Sequence, residues 1–265
     1  MQSTAPRILV TNDDGVHSPG LLAAVEAVAS FADVTIAAPL TQQTGMGRAQ
    51  CGNPKSRFEK IPLVIQGKEF DGFACDAAPA RVVSHFLSVS PQYRPDLLIS
   101  GINYGENFGI TITGSGTVGA AMEGAVRGIP SIAVSLGAPV HTHYSHTELD
   151  WKAAIHFLGY FTKLALANGF PDGVDILKIE VPEKATPETD WRVVRLSASR
   201  YYTRLFDGPN LDTLLGDGHS AIHPSPDEPS DTDRYTTSVD GLVSLTPIRL
   251  DSTAHEAMKA LNTWR

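Results

Sequence analysis

Short apolar segments alternate with amphipathic segments along the first two thirds of the chain. Residues 8–10 (Ile-Leu-Val) show no alternation of polar and apolar positions, which predicts a strand buried on both faces. Ser18 and Pro19 then predict a helix start, and apolar residues follow at helical spacing at Leu21, Leu22, Val25 and Val28. Residues 34–38 predict a second buried strand, and strand–helix–strand at this spacing indicates a βαβ unit.

The remaining pattern predicts a single large α/β domain. It indicates a β-hairpin over residues 58–73, a helix from Pro79, strands at 96–100, 131–135, 176–181 and 242–247, and helices at 118–126, 149–168 and 251–264. In the last helix, Ala254, Met258 and Leu261 share one predicted face. The segment of residues 201–240 is long and polar, which favours either an extension of the domain that packs on a partner or partial disorder.

Composition narrows the class of protein. The chain has 265 residues, of which 42% are hydrophobic, and this is enough for one sizeable core. The net charge of −8 argues against a groove for a nucleic-acid polymer, which needs a basic surface. The two cysteines lack zinc-type spacing and suit a reducing compartment, and no apolar stretch reaches membrane-spanning length. Because residues 1–6 also lack a signal-type apolar region, we expect a soluble, cytoplasmic protein.

Candidate chemistry begins directly after the first predicted strand, at residues 12–15 (Asn-Asp-Asp-Gly). Ligands of open α/β sheets bind beyond the carboxyl ends of the strands. Two adjacent carboxylates repel each other there unless a cation joins them, and Mg²⁺ or Mn²⁺ prefers such oxygen ligands. The same four residues are also typical of an ordinary turn, so the motif alone leaves both interpretations open.

Two later segments place small and polar residues at the same predicted edge. Residues 101–109 contain three glycines with Asn103 and Asn107, which allows a backbone to approach a ligand closely. Residues 114–117 (Gly-Ser-Gly-Thr) begin a helix, where free amide groups favour a phosphate. A simple helix cap is the alternative, and the segment matches neither the Walker A loop nor the dinucleotide-binding glycine motif.

Histidines give weaker signals. His141, His143 and His146 lie in one predicted loop and resemble a metal cluster, but no cysteine accompanies them and this spacing is frequent in loops. His17 follows the acidic motif and is a candidate to protonate a leaving group, although packing or capping is its simpler role.

Four motifs occur in order along the chain, and their combination is specific. They are residues 12–20 (Asn-Asp-Asp-Gly-Val-His-Ser-Pro-Gly), 100–105 (Ser-Gly-Ile-Asn-Tyr-Gly), 115–124 (Ser-Gly-Thr-Val-Gly-Ala-Ala-Met-Glu-Gly) and 243–247 (Val-Ser-Leu-Thr-Pro). On these motifs the sequence resembles the SurE family, the survival-protein nucleotidases, from about residue 7 to residue 264.

The resemblance implies a Rossmann-like, three-layer α/β core with a mainly parallel sheet and a C-terminal β-hairpin. The hairpin would lie within residues 201–240 and pack on a neighbouring subunit of a homodimer or homotetramer. The implied activity is metal-dependent hydrolysis of nucleoside 5′-monophosphates, with 3′-monophosphates as an open second class of substrate.

The resemblance also implies a set of site residues and one divalent cation per subunit, Mg²⁺ or Mn²⁺. The implied metal ligands are Asp13, Asp14, Thr44 and Asn103, and the two aspartates are the implied catalytic residues. The implied phosphate-binding residues are Asn107, Gly114, Ser115, Gly116 and Thr117. Family members mostly carry serine where this chain has Thr44, and they also differ at Leu40 and Arg81.

The expected reaction is attack of an activated water on phosphorus, with one of the two aspartates holding the water or accepting its proton. One alternative is a nucleotide-binding or regulatory module that has lost turnover. Another is an aspartyl-phosphate enzyme with Asp13 as the nucleophile, although that class carries Asp-x-Asp rather than adjacent aspartates. A purely structural oligomer would leave the clustered Asp and Asn residues without a purpose.

Overall fold

A computed structural model describes residues 5–140 and 147–264 of the protein. Its strands are β1 (Arg7–Thr11), β2 (Asp33–Pro39), β3 (Glu59–Ile65), β4 (Lys68–Cys75), β5 (Leu97–Tyr104), β6 (Ser131–Leu136), β7 (Ile176–Val181), β8 (Trp191–Val193), β9 (Tyr202–Leu205), β10 (His219–Ile222) and β11 (Val243–Ile248). Its helices are α1 (Pro19–Val28), α2 (Pro79–Val89), α3 (Gly116–Val126), α4 (Lys152–Asn168), α5 (Asp233–Ser238) and α6 (Met258–Leu261).

One sheet crosses the described part of the chain in the order β3-β4-β2-β1-β5-β6-β7-β11-β8. The six strands from β4 to β7 in that order run parallel, whereas β3 and β11 run antiparallel to β4 and β7. β9 and β10 form a separate antiparallel hairpin near the C-terminus. The predicted α/β class, with a mainly parallel sheet and a C-terminal hairpin, is therefore confirmed.

Helices cover both faces of the sheet, because successive side chains of a buried strand point to opposite faces. In β1, Ile8 and Val10 pack in the core that contains α1 and α4, while Leu9 packs in the core that contains α2 and α3. The absence of alternation that predicted a buried strand thus has its physical origin in these two cores.

The direction of chain progression reverses at β1. The strands that follow β1 in sequence, β2 to β4, lie on one side of β1, and β5 and the later strands of the sheet lie on its other side. Such a reversal opens a crevice between the loops that follow the two strands at their carboxyl ends. Because Thr11 pairs with Ser100 in register, residues 12–15 leave β1 at this crevice, and residues 105–109 leave β5 at the same end of the sheet.

Two predicted elements differ from the observed ones. Residues 101–104 were expected in a glycine-rich loop, but β5 continues through an irregularity to Tyr104, because Asn103 and Tyr104 still pair with β6 and Ile102 is fully buried. Residues 251–264 form only α6 and adjoining short 3₁₀ turns, and this segment is exposed along its length. Its apolar positions have helical spacing, but no other part of the described chain covers them.

Residues 201–240 contain β9, β10 and α5 rather than a structureless stretch. α5 packs on its own subunit, since Asp233, Arg234, Thr236 and Thr237 are buried, whereas residues 207–212 are exposed at the hairpin tip.

His141, His143 and His146 lie outside the described residues. In the described ranges, no helix has both the length and the apolar character needed to cross a bilayer.

Candidate active site

The loop between β1 and α1 carries the two buried aspartates. Asp13 and Asp14 are each 3% exposed, and the amide group of Asn12 donates to the backbone oxygen of Gly15 at 3.0 Å. Gly15 has φ of +96°, a conformation that favours glycine, and this closes the turn. The Ser18 hydroxyl then accepts from the Gly20 backbone N–H at 3.2 Å, which caps α1 as predicted.

Asp14, which follows β1, forms hydrogen bonds at the carboxyl ends of two other strands, β2 and β5. Its carboxylate accepts from the Gln42 side chain, in the loop after β2, at 3.0 Å. It also accepts from the backbone N–H of Tyr104, at the end of β5, at 3.2 Å. The loop after β2 is held a second time, because the Gln43 backbone N–H donates to the Asp13 backbone oxygen at 2.6 Å.

Asp13 lies against the N-terminus of α3. The Thr117 hydroxyl donates to Asp13 Oδ1 at 2.6 Å, and Ser115 caps the helix by accepting from the Val118 backbone N–H at 3.1 Å. Gly116 sits between these two residues because a larger side chain would not fit: a β-carbon there would lie 2.7 Å from both Cβ and Oδ2 of Asp13. The glycine therefore allows the helix start to approach the carboxylate.

We expect Gly116→Ala to displace the Asp13 carboxylate and to lower any activity that depends on it by at least about 10-fold. Steady-state phosphate release from a nucleoside monophosphate measures the effect. Gly216→Ala is the matched control, because a β-carbon added at Gly216 would have no neighbour within 4 Å and this glycine sits in the exposed hairpin tip. Equal activity of the two variants would contradict the steric role of Gly116.

One cavity of about 240 Å³ opens at this end of the sheet. The predicted residues that line it are Asp13, Thr44, Asn103, Asn107, Gly114 and Ser115. Of the other predicted residues, Asp14 borders an adjacent, more open depression together with the half-buried Gln42 and the exposed His17. Thr117 is fully buried behind Asp13, so it contacts the carboxylate and does not line the cavity.

In the part of the chain that the structure describes, the two buried carboxylates in the loop after β1 lack a neighbouring positive charge. Burial, followed by the charge of Asp14, raises the pKa of Asp13 to about 7, and burial raises the pKa of Asp14 to about 6. None of the described residues that line the cavity is Lys, Arg or His. The described residues also include no cluster of three or more His, Cys, Asp or Glu side chains arranged for a metal.

The donor set nevertheless fits a hard divalent cation, which binds neutral oxygens as readily as carboxylates. Asn103 donates its amide nitrogen to the backbone oxygen of Gly105 at 2.7 Å, so its amide oxygen is left for a ligand. Together with Asp13 and the hydroxyl of Thr44 at the same cavity, and Asp14 at the adjacent depression, this gives an all-oxygen set from two loops and the end of β5.

Asn107 is positioned by a buried polar network below the cavity. Its side-chain amide donates to Ser135 Oγ at 3.0 Å, and its backbone N–H donates to Glu180 Oε2 at 3.1 Å. Lys178 Nζ lies 2.9 Å from Glu180 Oε1 and 3.0 Å from Asp233 Oδ2, and all three side chains are almost fully buried. Burial opposes the charge on Lys178, but the two carboxylates outweigh it and raise its pKa.

Sequence reasoning missed several residues of this region. Lys178 and Glu180 alternate with apolar residues in β7, and two charges in an otherwise buried strand were an available signal of an internal ion pair. Glu106 lies in the glycine-containing segment 101–109, where only Asn103 and Asn107 were given roles, and it lines the cavity beside Tyr202 and Ser220. Nothing local to β9 and β10 indicated that the hairpin would contribute these last two side chains.

The fold and the site together define a Rossmann-like α/β protein with an acidic cavity at the point where the sheet order reverses. The family model described as "Survival protein SurE" matches residues 8–203. The chain belongs to the SurE family.

Named relatives and a solved structure agree with this assignment. The chain is 40% identical over 258 residues to the "5′-nucleotidase SurE" of Methanocella arvoryzae, and the match covers 94% of each protein. It is 37% identical over 254 residues to the protein of the same name from Thermococcus kodakarensis, again over 94% of each. The crystal structure of the SurE protein from Aquifex aeolicus superimposes with a TM-score of 0.75 at 29% identity, covering 98% of this chain and 99% of that one.

Proposed function

We propose that this chain is a divalent-metal-dependent phosphomonoesterase that hydrolyses nucleoside 5′-monophosphates, with 3′-monophosphates as a second class of substrate. The observation that carries the proposal is the shared cavity at which Asp13, Thr44 and Asn103 meet Asn107 and Ser115. An acidic site without a cationic side chain among its described lining residues has little affinity for a phosphate dianion by itself, so a bound cation is part of the proposal. The names of the relatives supply the substrate class.

The cation would be Mg²⁺ or Mn²⁺, one per subunit, held by Asp13, Asp14, Thr44 and Asn103. When bound, it supplies charge neutralisation at the phosphoryl group and lowers the pKa of water. The Thr117 hydroxyl fixes the orientation of Asp13, and Gln42 with the Tyr104 backbone N–H fixes that of Asp14.

The protein residues then have distinct tasks in hydrolysis. Water attacks phosphorus opposite the ester oxygen, and one of the two aspartates accepts the water proton. Donors at the cavity wall, from Asn107, Ser115 and the backbone around Gly114, stabilise the charge that spreads over the phosphoryl oxygens. The P–O ester bond breaks, the nucleoside oxygen takes up a proton, and the products are a nucleoside and phosphate.

We further propose that the protein is a homodimer or homotetramer in which the segment 201–240 contacts a neighbouring subunit. Support comes from Leu211, Leu214 and Leu215, which are exposed together at the hairpin tip. Exposed apolar groups of this kind mark protein–protein contacts. The mass of the purified protein in solution, measured by light scattering, tests this assembly.

The activity is tested with chelator-treated protein. Phosphate release from adenosine monophosphate is expected to be absent with EDTA, and to return when Mn²⁺ or Mg²⁺ is added in excess of the chelator. Full activity in EDTA would refute the metal dependence.

Two further results would replace the proposal by one of its alternatives. Calorimetric binding of the nucleotide without phosphate release, under every metal tested, would indicate a regulatory module. An acid-stable phosphoenzyme that is trapped during turnover and lost in Asp13→Asn would indicate aspartyl-phosphate chemistry instead.

A further inference from the structure

The cavity has a polar wall that the hydrolysis does not use. Glu106, Tyr202 and Ser220 line the same 240 Å³ cavity as Asp13 and Asn103. None of the three belongs to the proposed metal ligands or phosphate donors. A site that only removed phosphate from any small ester would have no need of this wall.

The C-terminal hairpin supplies two of these residues from one of its faces. In the antiparallel register Tyr202 pairs with Ile222 and Arg204 pairs with Ser220. Side chains alternate between faces along a strand, so Tyr202 and Ser220 lie on the same face of the hairpin. Tyr202 on that face contacts the loop after β5, which carries Glu106.

Glu106 is held in a fixed orientation. The Tyr202 hydroxyl donates to Glu106 Oε2 at 2.8 Å. A carboxylate has about four acceptor positions, so this bond leaves capacity for a ligand. Burial raises the pKa of Glu106 to about 7, and nearby Glu180 and Glu183 act in the same direction.

The chemistry of Glu106 selects its partner. An ionised carboxylate accepts hydrogen bonds and repels the phosphate, so its complement is an uncharged group with O–H or N–H donors. Glu106 directly precedes Asn107, and consecutive Cα atoms are about 3.8 Å apart. The group that a nucleoside monophosphate places next to its phosphate is the ribose, whose vicinal hydroxyls are such donors. Nucleotide-binding folds use acidic residues on ribose hydroxyls in the same way.

We propose that Glu106, oriented by Tyr202, accepts hydrogen bonds from the ribose hydroxyls of the substrate and selects ribonucleotides over 2′-deoxyribonucleotides. This inference rests on the proposed nucleotidase function and names a specificity-determining residue for it. Its consequence is that the hairpin contributes to substrate choice in its own subunit.

The test compares three substrates at about pH 8, above the pKa of about 7 of Glu106, so that most of this carboxyl group is ionised. They are adenosine monophosphate, its 2′-deoxy analogue and para-nitrophenyl phosphate, which has no sugar. A hydrogen bond to a charged group corresponds to a factor of about 10 to 100 in kcat/KM. We expect the wild-type protein to prefer the ribonucleotide by about this factor. Glu106→Gln is expected to lose most of the preference, with a much smaller loss of activity on para-nitrophenyl phosphate than on adenosine monophosphate.

Two more variants sharpen the comparison. Tyr202→Phe removes the orienting hydroxyl and is expected to give a smaller loss of the same preference. Glu183→Gln is the matched control, because Glu183 is exposed, lies close enough to influence Glu106, and does not line the cavity. This control is expected to retain the wild-type preference.

The outcomes separate this inference from the function on which it rests. An equal loss on all three substrates in Glu106→Gln would show a structural role or proton donation to the leaving group, and would overturn the inference. A wild-type protein without the preference would overturn it as well. If the wild type hydrolyses none of the three substrates with any divalent ion, the proposed function itself fails. Calorimetric titration with adenosine and 2′-deoxyadenosine then still decides whether Glu106 recognises the sugar.

Discussion

Asp13→Asn is expected to reduce phosphate release by more than the roughly 10- to 100-fold that loss of an outer-shell partner of a metal costs. Asparagine keeps the shape of the side chain and an oxygen that accepts from Thr117, but it removes the negative charge from the centre of the proposed metal site. The variant is measured by phosphate release with saturating Mn²⁺. Asp172→Asn, an exposed aspartate in the turn before β7, is the control for loss of a carboxylate elsewhere.

Asp13→Asn is expected to lower activity but not the stability of the metal-free protein. Asp13 and Asp14 are adjacent buried carboxylates, and their repulsion costs folding free energy when no cation is bound. We therefore expect the melting temperature of Asp13→Asn without metal to equal or exceed that of the wild type. Mn²⁺ at about 100 times its Kd should stabilise the wild type by about 2.7 kcal/mol and the variant by much less. Wild-type metal binding and turnover in Asp13→Asn would contradict the proposed site.

Lys178→Met is expected to cost about 3–5 kcal/mol of unfolding free energy, the largest stability effect that we predict. Methionine keeps much of the volume of the lysine stem, but the substitution leaves Glu180 and Asp233 buried without their shared cation. Urea unfolding monitored by circular dichroism measures the change. Because Glu180 also accepts from the Asn107 backbone N–H, activity should fall together with stability.

An exposed ion pair serves as the control, because it shows how much stability is lost when a charge is removed without burial. Arg195 and Asp231 form a two-point ion pair at the surface, so Arg195→Met should change the unfolding free energy far less than Lys178→Met does. Adding Asp233→Asn to Lys178→Met should recover part of the loss, since one unpaired charge is removed. Equal effects of Lys178→Met and Arg195→Met would refute the role assigned to the buried network.

Much of the core could be predicted because local sequence pattern and global fold agree there. The β1 segment is apolar without alternation because the sheet is covered on both faces, and Ser18-Pro19 starts α1 as predicted. The motif around Asp13 follows β1 directly, so a position at the carboxyl edge of the sheet followed from the strand assignment alone. The same reasoning places Asn103 and Ser115 near that edge, where they line the cavity with Asp13.

The prediction was wrong for two segments whose structure depends on contacts with distant parts of the chain. The glycines of residues 101–109 favoured a loop from the end of Ser100, but pairing of Asn103 and Tyr104 with β6 extends the strand. Residues 251–264 have helical periodicity, yet they form only short exposed turns, because an amphipathic helix gains stability mainly from the surface that it covers.

The sequence by itself determined most strands and helices of the core, which of their faces are apolar, and that acidic and amide side chains lie at the carboxyl ends of strands of one sheet. Only the tertiary structure decided which side chains meet: Thr117 with Asp13, Lys178 with Asp233, and Tyr202 with Glu106. The physical reason is that the periodicity of apolar residues is a local property, set by the geometry of one strand or helix. Contacts between residues about 50 to 100 positions apart depend instead on strand order and register, which arise from packing of the whole chain.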